Sequence, residues 1–176
     1  MQKIKQIIKE ELANVNWLSV LISLGIVVVL VAIDQLTKYL IETKMTYGQQ
    51  IEIIDNFFWI TSHRNTGAAW GVGSGKLTFF IIITIVALLI YLILYKDVNF
   101  KKMTVYSLAI TCIVGGTLGN FIDRIFKDGK VTDFLDFLIF GYDFPVFNFA
   151  DMCLVIGVGL LIFDLLFGKT GKQWTK

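Results

Sequence analysis

The chain has 176 residues, of which 56% are apolar and only 17% are charged. Soluble domains carry about 25% charged and about 45–50% apolar residues, so this chain has more apolar side chain than one water-soluble core can bury. Its net charge of +2 offers no basic footprint for a nucleic acid. The composition therefore predicts an integral membrane protein with no nucleic-acid partner.

Four long apolar stretches predict four transmembrane helices. A spanning helix needs about 20 predominantly apolar residues, and the stretches place the spans at about 16–38, 77–95, 103–124 and 149–168. The two long connections, 41–76 and 127–147, are then outer loops. The sequence predicts one membrane domain over 1–176, in the all-α class, with a small extracytoplasmic loop region that contains β-structure.

The basic residues indicate which way the helices cross the membrane. Nine of the sixteen fall in the two tails and in the short loop between the second and third spans. These nine are Lys3, Lys5, Lys9, Lys96, Lys101, Lys102, Lys169, Lys172 and Lys176. Because positive charge is concentrated on cytoplasmic segments, both termini are predicted to be cytoplasmic.

The first outer loop alternates polar and apolar residues over 50–53 and is rich in apolar and aromatic residues over 57–61, on either side of Asp55 and Asn56. A pattern of this kind is typical of short strands joined by a turn. We therefore expect a small sheet on the outer surface, where its aromatic residues would lie in the membrane interface.

Polar residues cluster at the outer ends of three predicted helices. Asp34 and Lys38 are four residues apart, as are Asn120 and Arg124, and residues at this spacing share a helix face. Asn148 and Asp151 open the fourth span. Such side chains at a helix end can be simple interface anchors. Their coincidence on three helices favours a functional polar site.

Carboxylates are the groups available for acid–base chemistry at this site. His63 is the only histidine, and Cys112 and Cys153 form no metal-binding pair, so we expect no metal ion and no cofactor. Two carboxyl groups that share a site hold one proton between them near neutral pH, and such a pair can hydrolyse a peptide bond. The residues alone leave six candidates: Asp123, Asp128, Asp133, Asp136, Asp143 and Asp151.

Five blocks of sequence resemble the bacterial lipoprotein signal peptidases, or signal peptidase II. In chain order they read Asp34-Gln35-Leu36-Thr37-Lys38, Asn65-Thr66-Gly67-Ala68-Ala69-Trp70-Gly71, Gly115 through Arg124 (GGTLGNFIDR), Val131-Thr132-Asp133-Phe134, and Phe147-Asn148-Phe149-Ala150-Asp151. The resemblance covers about residues 34–157. It differs in two details: the segment from Arg124 to Asp133 is one residue longer than is usual, and Thr132 stands where an aliphatic residue is common.

The resemblance implies a four-helix aspartyl endopeptidase of the bacterial cytoplasmic membrane, with its site facing outward. It would cleave a prolipoprotein before the cysteine that carries a diacylglyceryl group, and so release the signal peptide. By motif, the catalytic pair would be Asp133 and Asp151, while Asp123 would have no catalytic role. The residues implied to line the substrate and inhibitor pocket are Asp34, Lys38, Asn65, Gly67, Asn120, Arg124, Asn148 and Ala150.

The same resemblance implies membrane lipids and inhibitors of the globomycin type as further binding partners, and a monomer. Two other classes of membrane protein, a proton-coupled transporter and an interaction subunit, fit the sequence less well. A proton-coupled transporter would need acids through both leaflets, yet Asp164 is the one acid in the inner half of a span. An interaction subunit would need no paired carboxylates beside Asn and Arg.

Overall fold

The computed structural model describes residues 13–67 and 77–168. Its helices are α1 (Trp17–Lys44), α2 (Leu77–Leu94), α3 (Thr104–Phe126) and α4 (Phe149–Phe167), and a 3-10 turn, Tyr95–Asp97, follows α2. Its strands are β1 (Gln50–Ile54), β2 (Phe58–Asn65), β3 (Val131–Ile139) and β4 (Tyr142–Phe147). The tail lysines and the motif residues 68–71 lie outside the described residues.

All four helices are long and apolar enough to cross a membrane. The first begins where Asn16 accepts a hydrogen bond from the backbone N–H of Ser19, at 3.0 Å. It runs past the predicted limit at 38 and ends at Lys44, which makes it about 42 Å long. Since the apolar layer of a bilayer is about 30 Å thick, the last turns of α1 extend to the level of the sheet.

Helix α3 is the centre of the helical bundle. Twelve of its 23 residues are buried, whereas Thr84 is the one buried residue of α2. Small residues allow this close approach, as is usual between membrane helices. A Cβ atom placed on Gly157 of α4 would lie only 2.7 Å from Cγ1 of Ile113 and 2.9 Å from the carbonyl oxygen of Ala109, both in α3.

The four strands form one antiparallel sheet in the order β1-β2-β3-β4. The two strands predicted around Asp55 and Asn56 are confirmed as β1 and β2. The sequence did not predict β3 and β4, which occupy most of the second outer loop. The all-α label is therefore too narrow: the described chain combines four helices with a four-stranded sheet.

A buried cluster of charges ties α1 to α3. Lys38 is fully buried, and its ammonium group lies 2.8 Å from Oδ2 of Asp34 and 3.3 Å from Oδ2 of Asp123. It also donates a hydrogen bond to Oδ1 of Asn120, at 2.9 Å. The amide of Gln35 donates to both carboxylates, at 3.1 Å each. Burial of these charges is tolerable because each finds an opposite charge or a hydrogen bond.

We predict that Gly157→Ala lowers the melting temperature, because the added methyl group collides with the backbone of α3. Gly159→Ala is the matched control, since nothing lies within 4 Å of a Cβ atom at that position. The measurement is thermal unfolding of both purified variants in the same detergent. Equal melting temperatures for the two variants would contradict the close α3–α4 contact.

We also predict that Lys38→Met destabilises the fold by about 3–5 kcal/mol, because Asp34 and Asp123 would lose their shared cation inside the protein. Lys44→Met, at the exposed end of the same helix, should change the stability little. Thermal unfolding measures both variants. A Lys38→Met protein as stable as the wild type would show that the buried cation is dispensable.

Candidate active site

A cavity of about 580 Å³ lies where α3 ends and α4 begins, beside the sheet. Six residues singled out from the sequence line it: Asn65, Gly67, Asn120, Arg124, Asp133 and Asp151. They come from β2 and the segment after it, from α3, from β3 and from α4. Polar groups that are far apart in the sequence therefore meet at one place.

Asp133 is held on β3 with both carboxyl oxygens engaged. Oδ2 accepts a hydrogen bond from Nδ2 of Asn65 at 3.0 Å, and Oδ1 accepts one from Nδ2 of Asn148 at 2.6 Å. The side chain is 2% exposed. Burial and the nearby charge of Asp151 raise the pKa of Asp133 to about 7, against the effect of the two amide hydrogen bonds.

Asp151 lies in the first turn of α4 and forms a reciprocal cap with Asn148. The backbone N–H of Asn148 donates to Oδ2 of Asp151 at 3.1 Å, while the backbone N–H of Asp151 donates to Oδ1 of Asn148 at 3.0 Å. This capping box satisfies donors that a helix start would otherwise leave free. Oδ1 of Asp151 accepts a further hydrogen bond from Nδ2 of Asn120, at 2.8 Å.

Asn148 connects the two carboxyl groups. Its backbone N–H donates to the carboxyl group of Asp151, and its side-chain nitrogen donates to the carboxyl group of Asp133. The same nitrogen lies 3.1 Å from Oδ1 of Asn120, which also accepts from Lys38. A fully buried amide thus fixes β3 relative to the start of α4.

The other four residues assigned to the pocket are buried and do not line the cavity: Asp34, Lys38, Asn148 and Ala150. Asp34 accepts a hydrogen bond from the backbone N–H of Ala150 at 3.0 Å, so α1 holds the first turn of α4. In this structure these four buried residues support the residues that line the cavity.

The remaining candidate aspartates lie elsewhere. Asp123 is fully buried in the ion cluster with Lys38, and Asp136 accepts hydrogen bonds from Thr61 and Gln50 at the sheet. Asp128 and Asp143 are exposed. Of the six aspartates that the sequence left open, only Asp133 and Asp151 line the cavity.

Arg124 lies at the rim of the cavity together with the segment after β2. The amide oxygen of Asn65 accepts from the backbone N–H of Gly67 at 2.8 Å, which forms a tight turn. The guanidinium group donates to the carbonyl oxygen of Gly67 at 3.4 Å and lies 4.9 Å from the ring centre of Phe80. It therefore carries a positive charge beside the two carboxyl groups.

The sequence analysis missed the apolar wall of the cavity. This wall is built by residues 144–147 of β4 and by one side of α4, from which Met152, Val155 and Ile156 reach the cavity. Rings of the sheet support it, since Phe58 stacks on Phe137 at 4.5 Å and Phe137 stacks on Phe147 at 5.8 Å. The spacing of Met152, Val155 and Ile156 along one helix face was the available signal.

Comparison with known proteins identifies the family of the chain. The family model described as signal peptidase (SPase) II matches residues 26–167. Lipoprotein signal peptidases of Staphylococcus aureus strains JH9 and Newman are each 51% identical to the chain over 153 residues, which cover 86% of this chain and 91% of each relative.

Two solved structures described as bacterial membrane enzymes share the fold. One, determined at 2.3 Å resolution, has a TM-score of 0.75 and 50% sequence identity over 82% of this chain and 87% of its own. The other, at 1.9 Å resolution, has a TM-score of 0.73 and 50% identity over 84% of this chain and 94% of its own. The chain therefore belongs to the signal peptidase II family, and it is a peptidase and a multi-pass protein of a bacterial membrane.

Proposed function

We propose that this chain removes signal peptides from prolipoproteins by an aspartyl mechanism in which Asp133 and Asp151 are the catalytic residues. The substrate carries a diacylglyceryl group on a cysteine, and the enzyme cleaves the peptide bond before that cysteine. One observation carries the proposal: of the six candidate aspartates, these two line the cavity, and one buried asparagine contacts both. Membership in a peptidase family decides against a transporter or an interaction subunit.

The chemistry follows from the proton that the pair holds. With a pKa of about 7, Asp133 is largely protonated just below neutral pH, while its partner can act as a base. The base takes a proton from a water molecule, which attacks the scissile carbonyl carbon as the protonated carboxyl polarises the carbonyl oxygen. The carboxyls then exchange roles, and a proton passes to the leaving amine as the carbon–nitrogen bond breaks.

The cavity offers different surfaces to different parts of the substrate. Its wall of β4 and α4 side chains is apolar and suits the signal peptide and the lipid group of the cysteine. Arg124 and Asn120 lie at the polar end, where they can donate hydrogen bonds to substrate carbonyl oxygens. Four buried residues hold the pair in place without lining this surface: Asp34, Lys38, Asn148 and Ala150.

The proposed orientation places the catalytic pair at the outer face of the membrane and both termini in the cytoplasm. The sheet and the cavity lie at the ends of the helices opposite the α2–α3 connection. That connection contains Lys96, Lys101 and Lys102, and positive loops favour the cytoplasmic side. Inhibition by globomycin and a monomeric state stay predictions from the family resemblance.

We predict that Asp133→Asn and Asp151→Asn each lower the cleavage rate by about 10²–10⁴-fold, because each removes a group that transfers a proton. The measurement is release of the signal peptide from a diacylglyceryl-modified prolipoprotein by the purified enzyme in detergent. A sample without enzyme gives the background.

Asp143→Asn is the matched control, since Asp143 is exposed on β4 and should keep activity within about twofold of the wild type. Melting temperatures recorded for all variants separate loss of chemistry from loss of folding. A folded Asp151→Asn enzyme that still cleaves the substrate at the wild-type rate would rule out the proposed pair.

We predict that kcat/KM declines as the pH rises through about 7, because the proton shared by the pair is lost there. The Asn65 amide stabilises the charged form of Asp133 through its hydrogen bond. Asn65→Ala should therefore raise the pKa of Asp133 and move this decline to higher pH. The pH profile of cleavage tests both statements, and an unchanged midpoint in Asn65→Ala would contradict the assignment of the proton to Asp133.

A further inference from the structure

Glu42, in the last turns of α1, contacts three side chains from different elements. Arg64 lies on β2, Lys127 follows α3, and Thr132 lies at the start of β3. Its Oε1 lies 2.6 Å from Nζ of Lys127, accepts a hydrogen bond from the hydroxyl of Thr132, and lies 3.9 Å from Nη2 of Arg64. Arg64 and Thr132 are directly paired across β2 and β3. None of the motifs identified in the sequence contains Glu42 or Lys127.

These contacts hold Thr132 from two sides. While its hydroxyl bonds to Glu42, its backbone N–H donates to Oδ2 of Asp123 at 3.1 Å. Lys127 joins the two acids, because its ammonium group also lies 2.9 Å from Oδ1 of Asp123. Thr132 is fully buried and directly precedes Asp133, so a shift of Thr132 along or across the strand would displace the Asp133 carboxyl group.

The contacts at Thr132 matter because the segment that precedes Thr132 makes a sharp turn. It turns sharply at Asp128 and Gly129, whose φ values are 51° and 79°. The backbone N–H of Lys130 donates to the carbonyl oxygen of Lys127 at 2.9 Å, which closes the turn.

We propose that Glu42 and Thr132 are positioning residues for the reaction: Glu42 binds the Thr132 hydroxyl and thereby sets the position of Asp133. This inference rests on the proposed role of Asp133. Neither residue lines the cavity, so both act on the catalytic pair rather than on the substrate.

The test compares Thr132→Val and Glu42→Ala, each of which removes one partner of the Thr132–Glu42 hydrogen bond, with the wild type in the prolipoprotein cleavage assay. We expect kcat to fall about tenfold in each, because small displacements of a catalytic group are costly, while KM stays within about twofold. Thr132→Ser keeps a hydroxyl group and should restore kcat to within about twofold. Because the two residues act through one contact, the kcat of the double variant should be no lower than that of the less active single variant.

Thr43→Val and Glu52→Ala are the matched controls. Thr43 is the exposed neighbour of Glu42 and bonds only within α1 among the described residues, and Glu52 is an exposed acid on β1. Both should keep wild-type kcat and KM. Melting temperatures of every variant are recorded beside the kinetics.

Asp133→Asn, assayed beside them, separates the two possible failures. If it is inactive while Thr132→Val and Glu42→Ala keep the wild-type kcat, the catalytic pair stands and the positioning role is wrong. If Asp133→Asn itself cleaves at the wild-type rate, the proposed function is wrong. Additive losses in the double variant, or no recovery in Thr132→Ser, would also overturn the positioning role.

Discussion

The structure depends on one buried cation. The ammonium group of Lys38 is shared by Asp34, Asp123 and Asn120, and each of these reaches a different part of the site. Asp34 accepts from the start of α4, Asn120 donates to Asp151, and Asp123 accepts from the strand residue before Asp133. A charge this far from water is retained because three oxygen atoms surround it, and through them it fixes α4 and β3 relative to α1 and α3.

The hydrogen bonds around the catalytic pair come from amides. Asp133 accepts from two asparagine side chains, and Asp151 accepts from Asn120 and from a backbone N–H. Amide donors do not titrate, so they hold both carboxyl groups in place without competing for the proton. Burial and mutual repulsion can then set the pKa of Asp133 near neutrality. The asparagines therefore hold the acids in place and, by stabilising the charged form of Asp133, partly offset the rise in its pKa.

Much of this arrangement could be anticipated from the residues, and the exceptions have physical causes. The i,i+4 spacing of Asp34 and Lys38 correctly placed them on one face, and the two apolar stretches around Asp55 and Asn56 correctly gave β1 and β2. Strand β3 was not predicted because several of its successive residues are buried, so its sequence lacks the alternation of apolar and polar residues that marks a strand with one exposed face. Strand β4 carries Pro145, which is rare inside strands. Which aspartates meet depends on the packing of β3 against α4, and no local pattern encodes that.

Other parts of the described chain cover little of helix α2, and in this respect it differs from its neighbours. Most of its side chains are exposed within the described part of the chain, so selection on them concerns solubility in lipid and helix length rather than fit. Leucine, isoleucine, valine and phenylalanine can exchange there during evolution with little effect on the rest of the protein. In α3, where a single added methyl group meets backbone, such drift is blocked. Sequence divergence among homologous enzymes should accordingly be concentrated in the second helix and sparse in the third.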